Sequence, residues 1–205
     1  MRKSVIVFFI VYVAATIWAD DYKILKMNTA SIKIGNRTCR PGDVFSDKSI
    51  IYWMGDKQAF KAQNVRTKEI HLFVAPAFQT KGSRTVKEFY VKNNHLSTRG
   101  GLISLDDLAE EIGDTLYLWE RMKIESPYQL DSTSYFYLSY IDSAGRIIQK
   151  KLERDRDSIV VEKSIFNHEI IQNGIYVSLR YSNTKIKEDC SVKDSLFVYF
   201  IPDNY

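Results

Sequence analysis

Nucleophiles and metal ligands are scarce in this chain, which has 2 cysteines and 3 histidines among its 205 residues. His71, His95 and His168 lie far apart and no two stand at ligand spacing, so a zinc site would have to be assembled wholly by the fold. The glycine-based signatures are missing as well: there is no G-x-S-x-G elbow, no phosphate-cradling loop and no dinucleotide fingerprint. Neighbouring Glu110 and Glu111 would point in different directions on a helix and so make no paired-carboxylate device. These absences point to a non-catalytic protein with no cofactor and no metal. A hydrolase would need a site gathered from residues distant in sequence. Disorder is excluded from the other side, because 45% of residues are hydrophobic and 13% aromatic.

Long apolar runs are also missing, with one exception. Arg2 and Lys3 precede SVIVFFIVYVAATIWA, which gives way to Asp20 and Asp21. A basic start, a short apolar stretch and small residues before a polar segment form a secretory signal, here residues 1–19. About fifteen apolar residues fall short of the roughly 20 that a membrane helix requires. Cleavage is expected after Ala19, with Ala15 as the alternative, and the mature chain is expected to be periplasmic or secreted. It would touch a membrane only through an uncleaved signal.

Past the signal, charge divides the chain. Residues 20–101 hold 15 Lys and Arg against 7 Asp and Glu, a net +8, while residues 102–205 hold 12 against 18, a net −6. Such asymmetry bears on partners or on mutual docking of the halves, and not on fold.

Both halves read as strands. In the first, short β runs are separated by the turn formers Gly35-Asn36, Pro41-Gly42-Asp43, Gly55-Asp56 and Lys81-Gly82-Ser83, which suits a small barrel or sandwich over residues 20–101. Residues 31–34 and 37–40 are expected to form one hairpin, and 50–53 with 57–63 another. Residues 69–75 and 85–92 complete that half. The polar run Asn93 to Gly101 leads into SLDDLAEEIG, where Ser104 caps a helix and Gly113 ends it. Leu105, Leu108 and Ile112 make its apolar stripe. Residues 102–113 are therefore expected to be a connecting helix.

Beyond it the strands lengthen: 116–124, 135–141, 146–152, 159–163, 175–181 and 196–201. Alternation in YFYLSYI and IYVSLRY marks strands with one face in a core and one in water. Residues 114–205 are expected to form an immunoglobulin-like sandwich lacking the usual inter-sheet disulfide and its packed Trp. LERDRDS, 152–158, is expected to be a solvated strand end and turn, and His168 to lie in a turn. The whole is mainly β.

Cys39 and Cys190 fall one in each half. In an oxidising compartment they could pair, closing a loop of about 150 residues worth roughly 4 kcal/mol, or remain two separate thiols. Lysines and arginines interleaved with aromatics in the first half suit base stacking, but export argues against nucleic acid. The basic surface around Arg37, Arg40, Lys57, Lys61 and Arg66 is the candidate binding patch, with a protein or an anionic envelope polymer as its partner.

The segments IKIGNRTCRPGDVFSDKSIIYWMGDKQAFKAQN, EIHLFVA and HLSTRGG resemble exported proteins of unknown function from Gram-negative gut bacteria, over about half the chain. The resemblance implies an envelope location and supplies no activity or functional residue. Function is thus expected to be binding through a sheet face or edge, with a structural subunit assembling by strand addition as the alternative.

Overall fold

The computed structural model describes residues 20–76, 84–87 and 104–204. The described residues are mainly β, arranged in four sheets. Residues 1–19, where a signal is expected, residues 77–83 with the Lys81-Gly82-Ser83 turn, and residues 88–103 with the polar run Asn93 to Gly101 lie outside the described part.

The first half contains β1 (Asp21–Met27), β2 (Ile32–Ile34), β3 (Arg37–Cys39), β4 (Val44–Ser46), β5 (Ile51–Tyr52), β6 (Ala59–Asn64), β7 (Ile70–Val74) and β8 (Arg84–Lys87). They form a five-stranded sheet, β4-β1-β6-β7-β8, and a three-stranded sheet, β3-β2-β5. Ile24, Ile32, Ile34, Phe45, Ile51, Phe60, Ala62 and Phe73 fill the core between them. Aromatics dominate it: Phe60 and Phe73 stack with centroids 4.7 Å apart, and Phe45 meets both edge-on. Offset and edge contacts of this kind add to the burial energy of the rings.

The hairpin expected at Gly35-Asn36 joins β2 to β3, with Gly35 at φ +57°, where a side chain would be disfavoured. Gly55-Asp56 does something else. The strands on either side of it pair with β2 and with β1 and β7, so the turn carries the chain from one sheet to the other. β1 itself was not expected, because a register shift between Ile24 and Lys26 breaks its alternation.

The second half opens with α1 (Leu105–Ile112). Its capping box is complete: Asp107 N donates to Ser104 Oγ at 3.1 Å and Ser104 N to Asp107 Oδ2 at 3.0 Å. Leu108 and Ile112 are buried and Leu105 is half-buried, all packed into the second core. There follow β9 (Thr115–Leu118), β10 (Arg121–Glu125), β11 (Ser134–Ile141), β12 (Ile147–Lys151), β13 (Glu153–Asp155), β14 (Ser158–Glu162), a single 3₁₀ turn, α2 (His168–Asn173), β15 (Ile175–Asn183) and β16 (Glu188–Phe200). The run 116–124, expected as one strand, is two, broken at Trp119-Glu120 and shared between sheets. His168 begins a helix rather than a turn, since Asn167 caps it by accepting from Ile170 N at 2.9 Å. β13 falls inside the run expected to be a solvated turn, paired with β14 on one side.

The sheets are β10-β14-β13 and β12-β11-β15-β16-β9. In chain order these are the places of strands B, E and D and of C′, C, F and G in an immunoglobulin sandwich. β9 is added parallel to β16. Where such sandwiches carry a disulfide and Trp, this one packs Met122, Ile124, Leu138 and Leu179.

Contact between the halves is sheet against sheet. Leu116 and Leu118 face the second core, so Tyr117 and Trp119 face the other way, together with Tyr199 and Ile201. This outer face meets Ala59, Leu72 and Val74 on the outer face of the first half's five-stranded sheet. Trp119 is 1% exposed, with Lys26 Nζ 4.9 Å and Lys61 Nζ 5.6 Å from its ring centroid. Buried Asn28 pins the joint, donating to the carbonyls of Lys57 at 2.7 Å and Pro202 at 3.3 Å and accepting from Ala59 N at 2.9 Å.

Candidate functional site

The expected basic patch does not assemble on one surface. Lys61 is buried against Trp119 at the junction. Arg66 pairs with Asp20 at 2.6 Å, beyond the opposite end of β6 from Lys57. Arg37 donates to the Val44 carbonyl at 2.7 Å, and Arg40 stands two residues before Gly42 in a turn closed by Asp43. The disulfide is absent: Cys39 and Cys190 are free thiols, the first buried in the first core and the second packed against the other core. Burial raises the pKa of both, which makes them poor nucleophiles. His71 lies half-buried beside Tyr22 within the first half, His168 is within 3.0 Å of Gln172 on α2, and His95 lies outside the described residues. Among the described residues no cluster of three His, Cys, Asp or Glu could hold a metal.

A different surface stands out, on the side of the second sandwich away from the junction. β11 and β12 form a hairpin whose turn is tied by Asp142. Its carboxylate accepts from Ala144 N at 3.0 Å and Arg146 N at 2.9 Å and pairs with the Arg146 guanidinium at 2.7 Å. Those bonds from Arg146, backbone first, hold the Asp142 pKa below its usual value. The turn sets the register: Ile141 faces Ile147, Ser139 faces Gln149 and Tyr137 faces Lys151.

β12 ends its sheet. Asp142 N bonds the Arg146 carbonyl and Leu152 N bonds the Phe136 carbonyl, so residues 146, 148, 150 and 152 turn their backbone groups toward β11. The amides and carbonyls of Ile147, Gln149 and Lys151 therefore point away from β11, to a side where no strand of the described residues pairs with them. Most of the strand is solvent-exposed.

Two features flank this edge. On the outer face, Ile147 and Ile141 are 71% and 65% exposed, and Tyr176, opposite Phe197, is 68% exposed. The register that sets Ser139 against Ser178, carried on by two residues, brings Ile141 opposite Tyr176. These four side chains make an apolar row across the sheet. Beside it, Arg180 donates to Tyr137 Oη at 2.9 Å and pairs with Asp189 at 2.8 Å, while Lys151 Nζ sits 3.7 Å from the Tyr135 ring centroid. On the inner side, the lips between the sheets part into two clefts. One, of about 570 Å³, has Phe136, Leu152 and Ile159 in its wall and Asp131, Lys151 and Arg154 at its rim. The other, of about 340 Å³, runs along Tyr140, Ile148, Lys150, Ile165 and Phe166.

Sequence reasoning passed over this edge. Its signal was the lysine pair in RIIQKKL, since lysines on a strand often mark an unpaired edge. No family model, curated protein or solved structure matches this chain.

Proposed function

We propose that the chain is a non-catalytic, exported module of the cell envelope that recognises a protein by accepting an extended segment at β12. The observation that carries this is the row of outward backbone groups at Ile147, Gln149 and Lys151, bordered by exposed isoleucines and by clefts that could take alternate side chains. Main-chain bonds would supply affinity and the two side-chain rows would supply selectivity. Of the two partner classes expected from sequence, an anionic polymer would use the lysines and leave the backbone groups idle. A protein strand would use both.

Export is part of the proposal and rests on residues 1–19. N-terminal sequencing of the cell-derived protein should find Asp20 or Thr16 first, and an intact Met1 would remove the envelope from the account.

Gln149→Pro is the direct test of the edge. Proline there deletes an outward amide and leaves the bonds to β11 in place, a position where edge strands tolerate it. Envelope extract passed over the chain and over Gln149→Pro should yield a partner retained by the first and lost by the second. Identical capture by both would dismiss the edge as the site. An assembly subunit would use the same strand, and size exclusion separates the cases: a defined oligomer that Gln149→Pro dissolves is assembly, whereas a monomer is a recognition module.

A further inference from the structure

We infer that the segment taken up at β12 is an acidic one, with a consecutive pair of carboxylates placed to meet Lys150 and Lys151 and apolar residues opposite Ile147 and Ile148. This rests on the proposal that β12 accepts a strand. Lys150 shares its side of the hairpin with Leu138 and Tyr140 and lines the cleft together with Ile148, Ile165 and Phe166. Lys151 stands on the other side, level with Tyr137 and over the Tyr135 ring, and donates to the Ser132 carbonyl at 3.4 Å.

Neither lysine has a carboxylate partner among the described residues. Two of the nearby acids are engaged elsewhere, and Glu153 makes no ion pair with either lysine. Asp142 holds Arg146, and Asp131 holds its own turn and Lys185 at 3.3 Å. Glu153 lies in the larger cleft with Arg154, whose guanidinium bonds the Leu130 carbonyl. β12 itself, IIQKK, contains no acid.

That composition also says which occupant is disfavoured. A second copy pairing antiparallel about Gln149 would set Lys150 against Ile148 and Lys151 against Ile147 on both sides, gathering four ammonium groups in one seam. An inward-pointing lysine on an edge is a device that blocks such self-pairing. An incoming strand with Glu or Asp opposite each lysine satisfies the charge. Its apolar residues opposite Ile147 and Ile148 would extend the Ile147–Ile141 row on one face and enter the cleft beside Ile148 on the other.

Two labelled synthetic peptides test this, one built on Glu-Glu-Thr-Val-Val, which sets its acids opposite Lys151 and Lys150 and its valines opposite Ile148 and Ile147, and one with Lys in place of each Glu, titrated by fluorescence anisotropy into residues 20–205 at low salt. The acidic peptide should bind at least tenfold tighter. Lys150→Glu with Lys151→Glu should invert the preference, and Lys150→Gln with Lys151→Gln should abolish it, with circular dichroism checking that each variant is folded. Binding of the acidic peptide should also be lost in Gln149→Pro. If the basic peptide binds as well as the acidic one and Gln149→Pro removes both, the edge stands and the acidic partner is wrong. If neither peptide responds to Gln149→Pro, the edge falls along with it. Dextran sulfate serves as a polyanion without a peptide backbone. Competition by it, unaffected by Gln149→Pro, would mean that the lysines read charge alone and would overturn the strand. Self-association abolished by Gln149→Pro would replace the acidic segment with a second copy.

Discussion

β9 and β12 are the two ends of one sheet and have had opposite fates. At the β9 end the outer face presents Tyr117 and Trp119 with Tyr199 and Ile201, and the first half of the chain covers it. At the β12 end Ile141, Ile147 and Tyr176 stand in water. The covered end shows what this fold does with an apolar row when a partner is available: aromatic side chains against Leu72 and Val74, cations over the indole and one asparagine bridging backbones. The open end has the corresponding parts, with isoleucines for the apolar row, Lys151 over an aromatic ring and unused backbone groups. Among the described residues no second surface covers it.

The comparison can be broken first where it is strongest. Trp119→Ala should cost about 3–5 kcal/mol by denaturant unfolding, because a fully buried indole leaves a cavity that the junction cannot close. A loss under about 1 kcal/mol would mean that the covered end is not a core. Gly174→Ala comes next. Gly174 has φ +74° and an added Cβ would lie 2.5 Å from Phe197 Cζ, so the row that carries Phe197 and Tyr176 must shift, at a cost of roughly 1–3 kcal/mol.

Salt sharpens the distinction between apolar and ionic docking. Among the described residues the junction is apolar around the ion pair Lys26 to Glu120 at 2.6 Å, both of whose partners are substantially exposed. Raising ionic strength should therefore leave the scattering radius unchanged, even though the halves carry opposite charge.

Acid probes the loop beneath the open end. Asp131 accepts from the Thr133 hydroxyl and amide, both at 2.7 Å, and from Ser134 N at 2.8 Å, and these bonds hold its pKa far below the usual carboxyl value. A depressed folded pKa gives stability that is complete above about pH 4 and is lost as pH falls toward the folded value. Asp131→Ala should thus melt below the native chain at neutral pH, with the gap closing under about pH 4. A gap that persisted at low pH would remove the carboxylate from the explanation. The smallest effect belongs to Ile147→Ser, which should change stability by no more than about 0.5 kcal/mol while weakening capture at β12.

How much of this was legible in the sequence follows from periodicity. The mainly β character and the sandwich of the second half could be read because Phe136, Leu138 and Tyr140 alternate cleanly with their neighbours, as do Val177, Leu179 and Tyr181. β1 and most of β16 could not. Register shifts after Ile24 and along β15 and β16 break the two-residue period that the reading depends on. The turn signals at Gly35 and Gly55 looked alike, and only pairing with distant strands decided that one makes a hairpin and the other a crossing.

The site was less legible than the fold. Lysines advertise exposure, yet Lys61 is buried under Trp119, where its ammonium has an indole to lie on. Which strand ends a sheet is a long-range property, and the lysine pair in RIIQKKL hints at it without fixing which neighbours the strand has.

Amide hydrogen exchange along β12 tests the central claim most directly. In the dilute chain the amides of Ile147, Gln149 and Lys151 should exchange fast and those of Ile148 and Lys150 slowly, and the acidic peptide should slow the first three. Uniform slow exchange at all five positions without peptide would show the edge already covered and would contradict the account.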